Sequence, residues 1–165
     1  MRSESTRRRV RLQDSILAAI DAARPAIEHR QQFLDIDVSP DVPLWVNGDA
    51  RRLEQVFGNL LSNACKYSPE GAEISIASRV ERGRAVVVVR DSGVGIRSDM
   101  LEAIFDPFVR DATGGAEGLG VGLALARNLV TQHGGQITAH SDGPGRGSTF
   151  VVELPLLTMT SERAS

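Results

Sequence analysis

Residues 50–66 carry apolar side chains at a spacing of three and four, the repeat that lines one face of a helix. The repeat predicts an amphipathic helix whose opposite face presents Asn59, Asn63 and Lys66 one turn apart. Two carboxamides and an ammonium offer a neutral oxygen ligand for a hard cation and a point charge for a phosphate. On this segment alone, an ordinary surface helix is an equal alternative. The apolar stripe comprises Leu53, Val56, Phe57, Leu60, Leu61 and Ala64.

Composition excludes several classes of protein. The chain has 165 residues, of which 41% are hydrophobic and 24% charged, with a net charge of -2. These values fit one soluble globular domain with a buried core and no general affinity for nucleic acid. Apolar runs fall short of the ~20 residues that span a bilayer, so we expect no direct membrane insertion. The only lysine among the 19 basic residues is Lys66, and the only cysteine, Cys65, is expected to be a small buried residue.

The first half of the chain predicts a basic lead-in, a helix and a strand pair. Residues 1–11 are arginine-rich, and any structure they have is expected to lie outside this chain. Asp14 is a plausible N-cap for an amphipathic helix that ends near Gln32. Residues 33–38 and 44–46 are short apolar runs on either side of a proline-containing turn, which suggests that they pair as strands.

The second half predicts a hairpin, two helices and two further strands. Residues 73–80 alternate, residues 85–90 contain four consecutive valines typical of a buried strand, and a turn at 81–83 joins them. A short helix is expected over about residues 98–104 and a longer one from the glycine-rich start at 118–123 to about Gln132. Strands are expected at 136–140 and 148–154, and residues 158–165 as a frayed tail.

Two glycine-rich segments stand next to predicted secondary structure. Residues 91–96, Asp-Ser-Gly-Val-Gly-Ile, follow the buried strand, where glycines allow close backbone approach and Asp91 offers an acceptor. On this segment alone, a simple turn without a ligand is the better explanation. Residues 118–123 open a helix with free N–H groups, which is typical of an anion site. The spacing fits neither a Walker loop nor a dinucleotide fingerprint. Between them, residues 110–117 lack large apolar side chains and are expected to form a mobile lid.

Four segments, in this order, resemble the catalytic ATP-binding domain of bacterial sensor histidine kinases. Their superfamily also contains DNA gyrase, the ninety-kilodalton heat-shock chaperone and mismatch-repair ATPases. Residues 59–67 resemble the N box, 91–96 the first glycine box, 105–108 the F box and 118–123 the second glycine box. The resemblance extends over about residues 11–156. It implies an α/β (α+β) two-layer sandwich of the Bergerat type, in which a mixed, mostly antiparallel sheet carries helices on one face.

The resemblance also implies roles for individual residues in binding ATP and Mg²⁺. Asn63 is the expected magnesium ligand, Asp91 the acceptor for the adenine amine, Gly95 the space for the ring, and Thr149 a further contact to the base. The expected catalytic residues are Asn59, Asn63, Lys66 and Arg110. The expected nucleotide-binding residues are Asn63, Lys66, Tyr67, Asp91, Gly93, Gly95, Ile96, Phe105, Phe108, Gly118, Leu119, Gly120, Val121, Gly122, Leu123 and Thr149.

Asn59 separates kinase from hydrolase within this superfamily. The hydrolases carry a glutamate there to activate water, and an amide cannot act as a general base. His29, His133 and His140 do not fit the family's phosphoacceptor box, so the acceptor is expected on a separate dimerisation domain of the same or a partner kinase. The chain is thus expected to be a cytoplasmic fragment: a lead-in at 1–11, the catalytic domain at 12–157 and a tail at 158–165.

Downstream of the kinase, the resemblance implies a response regulator as a further partner. Two alternatives to a kinase remain open. One is an ATP hydrolase of the same superfamily, and the other is a nucleotide-dependent interaction module that transfers no phosphate.

Overall fold

A mixed sheet backs a layer of helices in the structure, a computed structural model that describes residues 7–106 and 119–157, without the side chains of 119–121. The chain order alternates strands and helices before ending in strands. The elements are β1 (Arg8–Arg11), α1 (Leu12–His29), β2 (Phe33–Asp37), β3 (Trp45–Gly48), α2 (Ala50–Tyr67), β4 (Glu73–Glu81), β5 (Arg84–Asp91), α3 (Leu119–Gln132), β6 (Gln136–His140) and β7 (Ser148–Pro155).

The main sheet has five strands in the order β2-β4-β5-β7-β6. Among the strands of the described residues, only β2 and β4 pair in parallel, and the remaining neighbours in this sheet are antiparallel. This confirms the predicted mixed, mostly antiparallel sheet and the predicted β4–β5 hairpin. Parallel neighbours need a crossover connection, and α2 lies in the connection between β2 and β4.

Helix α2 occupies the middle of the helical layer. Asp49 caps it by accepting hydrogen bonds from the backbone N–H groups of Arg51 and Arg52 at 3.0 and 3.3 Å. The predicted apolar stripe is buried, and α2 packs on α1, α3 and β5. Full burial of a side chain such as Phe57 contributes about 1.5–3 kcal/mol, so the stripe fixes which face of α2 remains for chemistry.

Two predictions about the first half of the chain are wrong. Residues 8–11 form β1, which pairs antiparallel with β3, so their structure lies within this chain. The expected pairing of residues 33–38 with 44–46 does not occur, because β2 pairs with β4 and β3 with β1. Short apolar runs indicate strands but do not specify which strand lies beside them.

Two helix predictions also need correction. Helix α1 begins at Leu12 with Arg11 at the N-cap position, and Asp14 lies in the first turn, where it accepts a 2.8 Å bond from Arg11. The expected helix over 98–104 is a pair of short 3₁₀ turns, Ser98–Met100 and Ala103–Phe105. Among the described residues, no helix is both long and apolar enough to cross a membrane.

Candidate functional site

The polar face of α2 meets the first turn of α3. The side-chain amide of Asn59 donates a hydrogen bond to the carbonyl oxygen of Gly122 at 3.1 Å. Two predicted segments that are 63 residues apart in sequence, the N box and the second glycine box, are thereby brought into contact.

One turn further along α2, the side-chain nitrogen of Asn63 is shielded from solvent and has no hydrogen-bond partner among the described residues. A shielded donor without a partner costs about 1–3 kcal/mol, so such groups are uncommon unless something else bonds to them. Asn63 therefore carries unused hydrogen-bonding capacity next to the Asn59–Gly122 contact.

The C-terminal end of α2 is joined to the first glycine box. The carbonyl oxygen of Tyr67, the last residue of α2, accepts a hydrogen bond from the N–H of Val94 at 3.2 Å. The ammonium of Lys66 is exposed and lies 5.7 Å from the centroid of the Tyr67 ring. The backbone of Tyr67 thus joins the end of α2 to the first glycine box, and the Lys66 cation lies near the Tyr67 ring.

Asp91 is the last residue of β5 and is only 7% exposed. One carboxylate oxygen accepts the N–H of Gly93 at 2.8 Å. Burial raises the pKa of the Asp91 carboxyl above its ordinary value, and backbone hydrogen bonds from Gly93 and Ser148 act in the opposite direction. A buried acceptor held at the end of the central strand is suited to bind an exocyclic amine.

The fold itself requires the two glycines of the first glycine box. A Cβ atom at Gly93 would lie 2.2 Å from the carbonyl oxygen of Tyr67. One at Gly95, where φ is +74°, would lie 2.1 Å from the carbonyl oxygen of Gly143. Both distances are far shorter than any real contact, so close backbone packing explains these glycines before any ligand is considered.

Gly122 differs from these glycines. A Cβ atom there would meet only the side-chain Cγ of Asn59, at an ordinary 4.0 Å, among the described residues. Glycine inside a helix costs about 1 kcal/mol relative to alanine. Packing among the described residues therefore gives no reason for glycine in the first turn of α3, on the side that faces α2.

Several other residues that the resemblance implies in nucleotide binding pack in the core. Phe105 is buried and packs edge-on against Phe150, with ring centroids 6.3 Å apart, while the Arg127 guanidinium lies 5.0 Å from its ring. The side chain of Leu123 is fully buried, and Ile96 packs partly buried on the core. Outside the described residues lie Phe108, Arg110, Gly118 and the predicted lid; of Leu119, Gly120 and Val121, only the backbone at the start of α3 is described.

In the sheet, the residue of β7 next to Asp91 is Ser148 and not Thr149. Ser148 is the residue of β7 opposite Asp91, and Thr149 is opposite Arg90. Successive strand residues point to opposite faces, so Ser148 shares the helix-facing side with Asp91 while Thr149 accepts a 3.4 Å bond from Arg90 on the other side. The alternation of buried residues at 150, 152 and 154 was the sequence signal that could have identified Ser148.

The histidines do not form a site in the described part of the chain. His29 and His140 are exposed, whereas His133 is buried just after α3. No group of three or more His, Cys, Asp or Glu side chains among residues 7–106 and 119–157 could hold a metal ion. A metal here would need ligands of another kind, such as an amide oxygen together with phosphate oxygens and water.

These observations define an α/β two-layer domain with a candidate site between α2, α3 and the end of β5. The chain belongs to the family of histidine kinase-, DNA gyrase B-, and HSP90-like ATPases, whose model matches residues 48–158. Membership implies the use of ATP, and the matched range contains every segment of the candidate site.

Curated relatives are sensor kinases much longer than this chain. The adaptive-response sensory kinase SasA of Thermosynechococcus vestitus is 42% identical over 83% of this chain and 36% of that relative. The sensor histidine kinase RcsC of Escherichia coli is 40% identical over 80% of this chain and 14% of that relative. The chain thus spans about a third or less of the length of these two relatives.

Solved structures share the fold. The mycobacterial sensor histidine kinase MprB superposes with a TM-score of 0.79 at 26% identity, covering 93% of this chain and 100% of that one. The catalytic domain of histidine kinase ThkA, free of nucleotide, gives 0.79 at 27% identity over 92% and 96%. Full-length ShkA in complex with AMPPNP gives 0.80 at 25% identity over 94% and 32%.

Proposed function

We propose that this chain is the ATP-binding catalytic domain of a two-component sensor histidine kinase. It binds Mg²⁺-ATP between α2 and α3 and transfers the γ-phosphate to a histidine on a dimerisation domain of the same or a partner kinase. The domain comprises residues 12–157 together with β1. Because ATP is supplied in the cytoplasm, the activity belongs to that compartment. A response regulator then receives the phosphate.

Gly122 carries this proposal. Its missing side chain opens the first turn of α3 towards α2, although the described packing does not require it. Free N–H groups at a helix start attract phosphate, and glycine lets a ligand approach the backbone closely. The unused Asn63 donor lies on the facing side of α2. The two features together fit a triphosphate that lies between α2 and α3.

The base is bound at the other end of the site. Asp91 accepts a hydrogen bond from the exocyclic amine of adenine, where guanine would present an oxygen. Ser148, rather than Thr149, is the β7 residue that assists Asp91, because it is paired with Asp91 on the same face of the sheet. ShkA, a protein of the same fold, was solved in complex with AMPPNP, which supports an adenine nucleotide as the ligand.

The residues present fit a magnesium ion that arrives with the nucleotide. Mg²⁺ usually keeps several waters and takes one or two protein ligands plus phosphate oxygens. Asn63 would supply the protein oxygen, Lys66 would contact phosphate, and Arg110 is a second proposed phosphate contact. When bound, the ion neutralises charge on the transferring phosphoryl group.

Asn59 favours transfer over hydrolysis. Its amide is already a donor to Gly122 and has no basic group with which to activate water. Phosphoryl transfer needs positioning and charge stabilisation more than covalent chemistry, so the chain requires an imidazole placed in line with the γ-phosphate. The exposed His29 and His140 and the buried His133 remain unphosphorylated.

The test uses the chain with γ-labelled ATP, alone and with an excess of a separately expressed helical-hairpin dimerisation domain. We expect acid-labile phosphate on the added domain, little free phosphate and no label on the chain. Asn59→Glu should raise phosphate release. Free phosphate without transfer from the unaltered chain would indicate a hydrolase, and ATP binding with neither product would indicate an interaction module.

A further inference from the structure

Residues 141–147 lie alongside the first glycine box. The N–H of Gly147 donates to the carbonyl oxygen of Gly93 at 3.1 Å, and the N–H of Gly145 donates to that of Val94 at 2.7 Å. Two successive backbone bonds therefore run from one loop to the other. The backbone N–H of Ile96, in the same glycine box, bonds to a side chain of residues 141–147 instead.

That side chain is Ser141, whose single hydroxyl makes three hydrogen bonds. Its oxygen accepts the N–H of Ile96 at 3.0 Å and the N–H of Gly143 at 3.2 Å. Its oxygen lies 2.7 Å from the carbonyl oxygen of Gly147 and 3.3 Å from that of Gly143, so the shorter contact to Gly147 is the better acceptor for its proton. A hydroxyl has one donor and two acceptor sites, so these bonds use its full capacity.

The backbone around Ser141 leaves little space for rearrangement. A Cβ atom at Gly147 would lie 2.1 Å from the carbonyl oxygen of Asp91, and one at Gly95 would lie equally close to the carbonyl oxygen of Gly143. Gly93 links the two, because its carbonyl oxygen accepts the Gly147 N–H while its own N–H donates to the Asp91 carboxylate at 2.8 Å. A shift of residues 141–147 would therefore move the backbone that orients Asp91.

We propose that Ser141 is a positioning residue for the purine base. It holds the first glycine box against residues 141–147, and so fixes where the Asp91 carboxylate meets the exocyclic amine. It acts through Ile96 and Gly147 rather than by contact with the base. This inference rests on the proposed function, because it assumes that an adenine nucleotide binds at Asp91.

Calorimetry on matched variants tests this role. Ser141→Ala removes the three bonds, Ser141→Thr keeps the hydroxyl, and Asp142→Ala alters an exposed neighbour in the same loop. Affinities for ATP and GTP are measured well below the unfolding midpoint of each variant. We expect Ser141→Ala to weaken ATP binding about tenfold and to reduce the preference for ATP over GTP, because a misplaced acceptor discriminates less. Ser141→Thr and Asp142→Ala should match the unaltered chain.

Hydrogen exchange gives an independent readout. The Ile96 amide should exchange faster in Ser141→Ala and stay protected in Ser141→Thr. Should Ser141→Ala fail to fold, Ser141→Cys keeps the volume with a weaker hydrogen-bonding group, and the same direction of change is expected. A variant that is less stable but binds ATP with unchanged affinity and unchanged preference over GTP overturns the inference. Absence of ATP binding in the unaltered chain would instead refute the proposed function.

Discussion

Helices α2 and α3 meet at two places that use their polar groups differently. At the start of α2, His133 accepts the Asp49 N–H through Nε2 at 3.0 Å and donates from Nδ1 to the Leu129 carbonyl at 2.7 Å. Both ring nitrogens therefore have partners. Further along α2, Asn59 has a partner in Gly122, but the Asn63 nitrogen has none among the described residues.

The number of hydrogen-bond partners within the protein distinguishes the structural contact at His133 from the binding contact expected at Asn63. Satisfied buried polar groups stabilise a fold, and each unsatisfied one is a cost that a ligand can remove. The His133 contact should therefore matter for stability and the Asn63 region for nucleotide chemistry.

The largest expected effect is on chemistry at Asn63. Asn63→Ala should reduce phosphoryl transfer to an added dimerisation domain on the order of 100-fold or more, the usual cost of removing one group that stabilises transferring charge. The free energy of unfolding should stay within about 0.5 kcal/mol or rise, because the lost nitrogen has no described partner. Chemical denaturation and a transfer assay measure both, with exposed Gln55→Ala on the same helix as the control. Large destabilisation with unchanged transfer would reverse the comparison.

The opposite pattern is expected at His133. His133→Ala removes two hydrogen bonds and leaves a cavity, so it should lower the free energy of unfolding by about 2–3 kcal/mol. ATP affinity of the folded protein should not change. His29→Ala, at an exposed position, provides the control and should stay within about 0.5 kcal/mol. If His133→Ala weakened ATP binding as much as it lowered stability, the distinction between a structural contact at His133 and a binding region at Asn63 would be wrong.

Gly122→Ala should improve stability while impairing function. Alanine is favoured over glycine inside a helix, so the free energy of unfolding should rise by about 0.5–1 kcal/mol. A methyl group that faces α2 should at the same time weaken ATP binding. Denaturation and calorimetry on one preparation check the two signs; a stabilised variant with full ATP affinity would remove the main support for the proposed site.

The smallest expected effect is a pH dependence from His133. Burial lowers its pKa below the ordinary value of 6.5, and the bond to Leu129 opposes this shift. As the pH falls through 6.5, the unfolded chain takes up a proton before the folded chain does. The stability advantage over His133→Gln should therefore shrink with acidification, by no more than about 1.4 kcal/mol per pH unit. The raised pKa of Asp91 acts in the opposite sense at more acidic pH, but it is common to both proteins and cancels.

Sequence reasoning succeeded where local patterns and tertiary packing agree. Helix α2 was predicted within one residue of its end, because its apolar stripe is strictly periodic and is buried by neighbouring elements. The β4–β5 hairpin was also predicted, since a two-residue turn at Arg82 and Gly83 joins neighbouring strands directly.

Strand partners and side-chain faces were harder to predict. The parallel pairing of β2 with β4 depends on α2 crossing between them, which no local pattern in residues 33–38 records. Residues 98–105 form 3₁₀ turns, because so short a segment gains few bonds for the cost of starting a helix. The family resemblance implies Thr149 as a contact to the base, whereas pleat alternation assigns the helix-facing side to Ser148.

The small β1–β3 ladder lies between the start of the described chain and α2, so a mechanical pull on Arg7 would meet this ladder before it reached the helix. Arg8 pairs with Gly48, directly before the Asp49 cap, so a pull on Arg7 away from α2 acts at that end of the ladder. Antiparallel hydrogen bonds run across the strands, and such a load breaks them one pair after another instead of all at once. We therefore expect the ladder to unzip rather than shear under such a pull, with Arg8 leaving Gly48 first and Arg11 leaving Trp45 last.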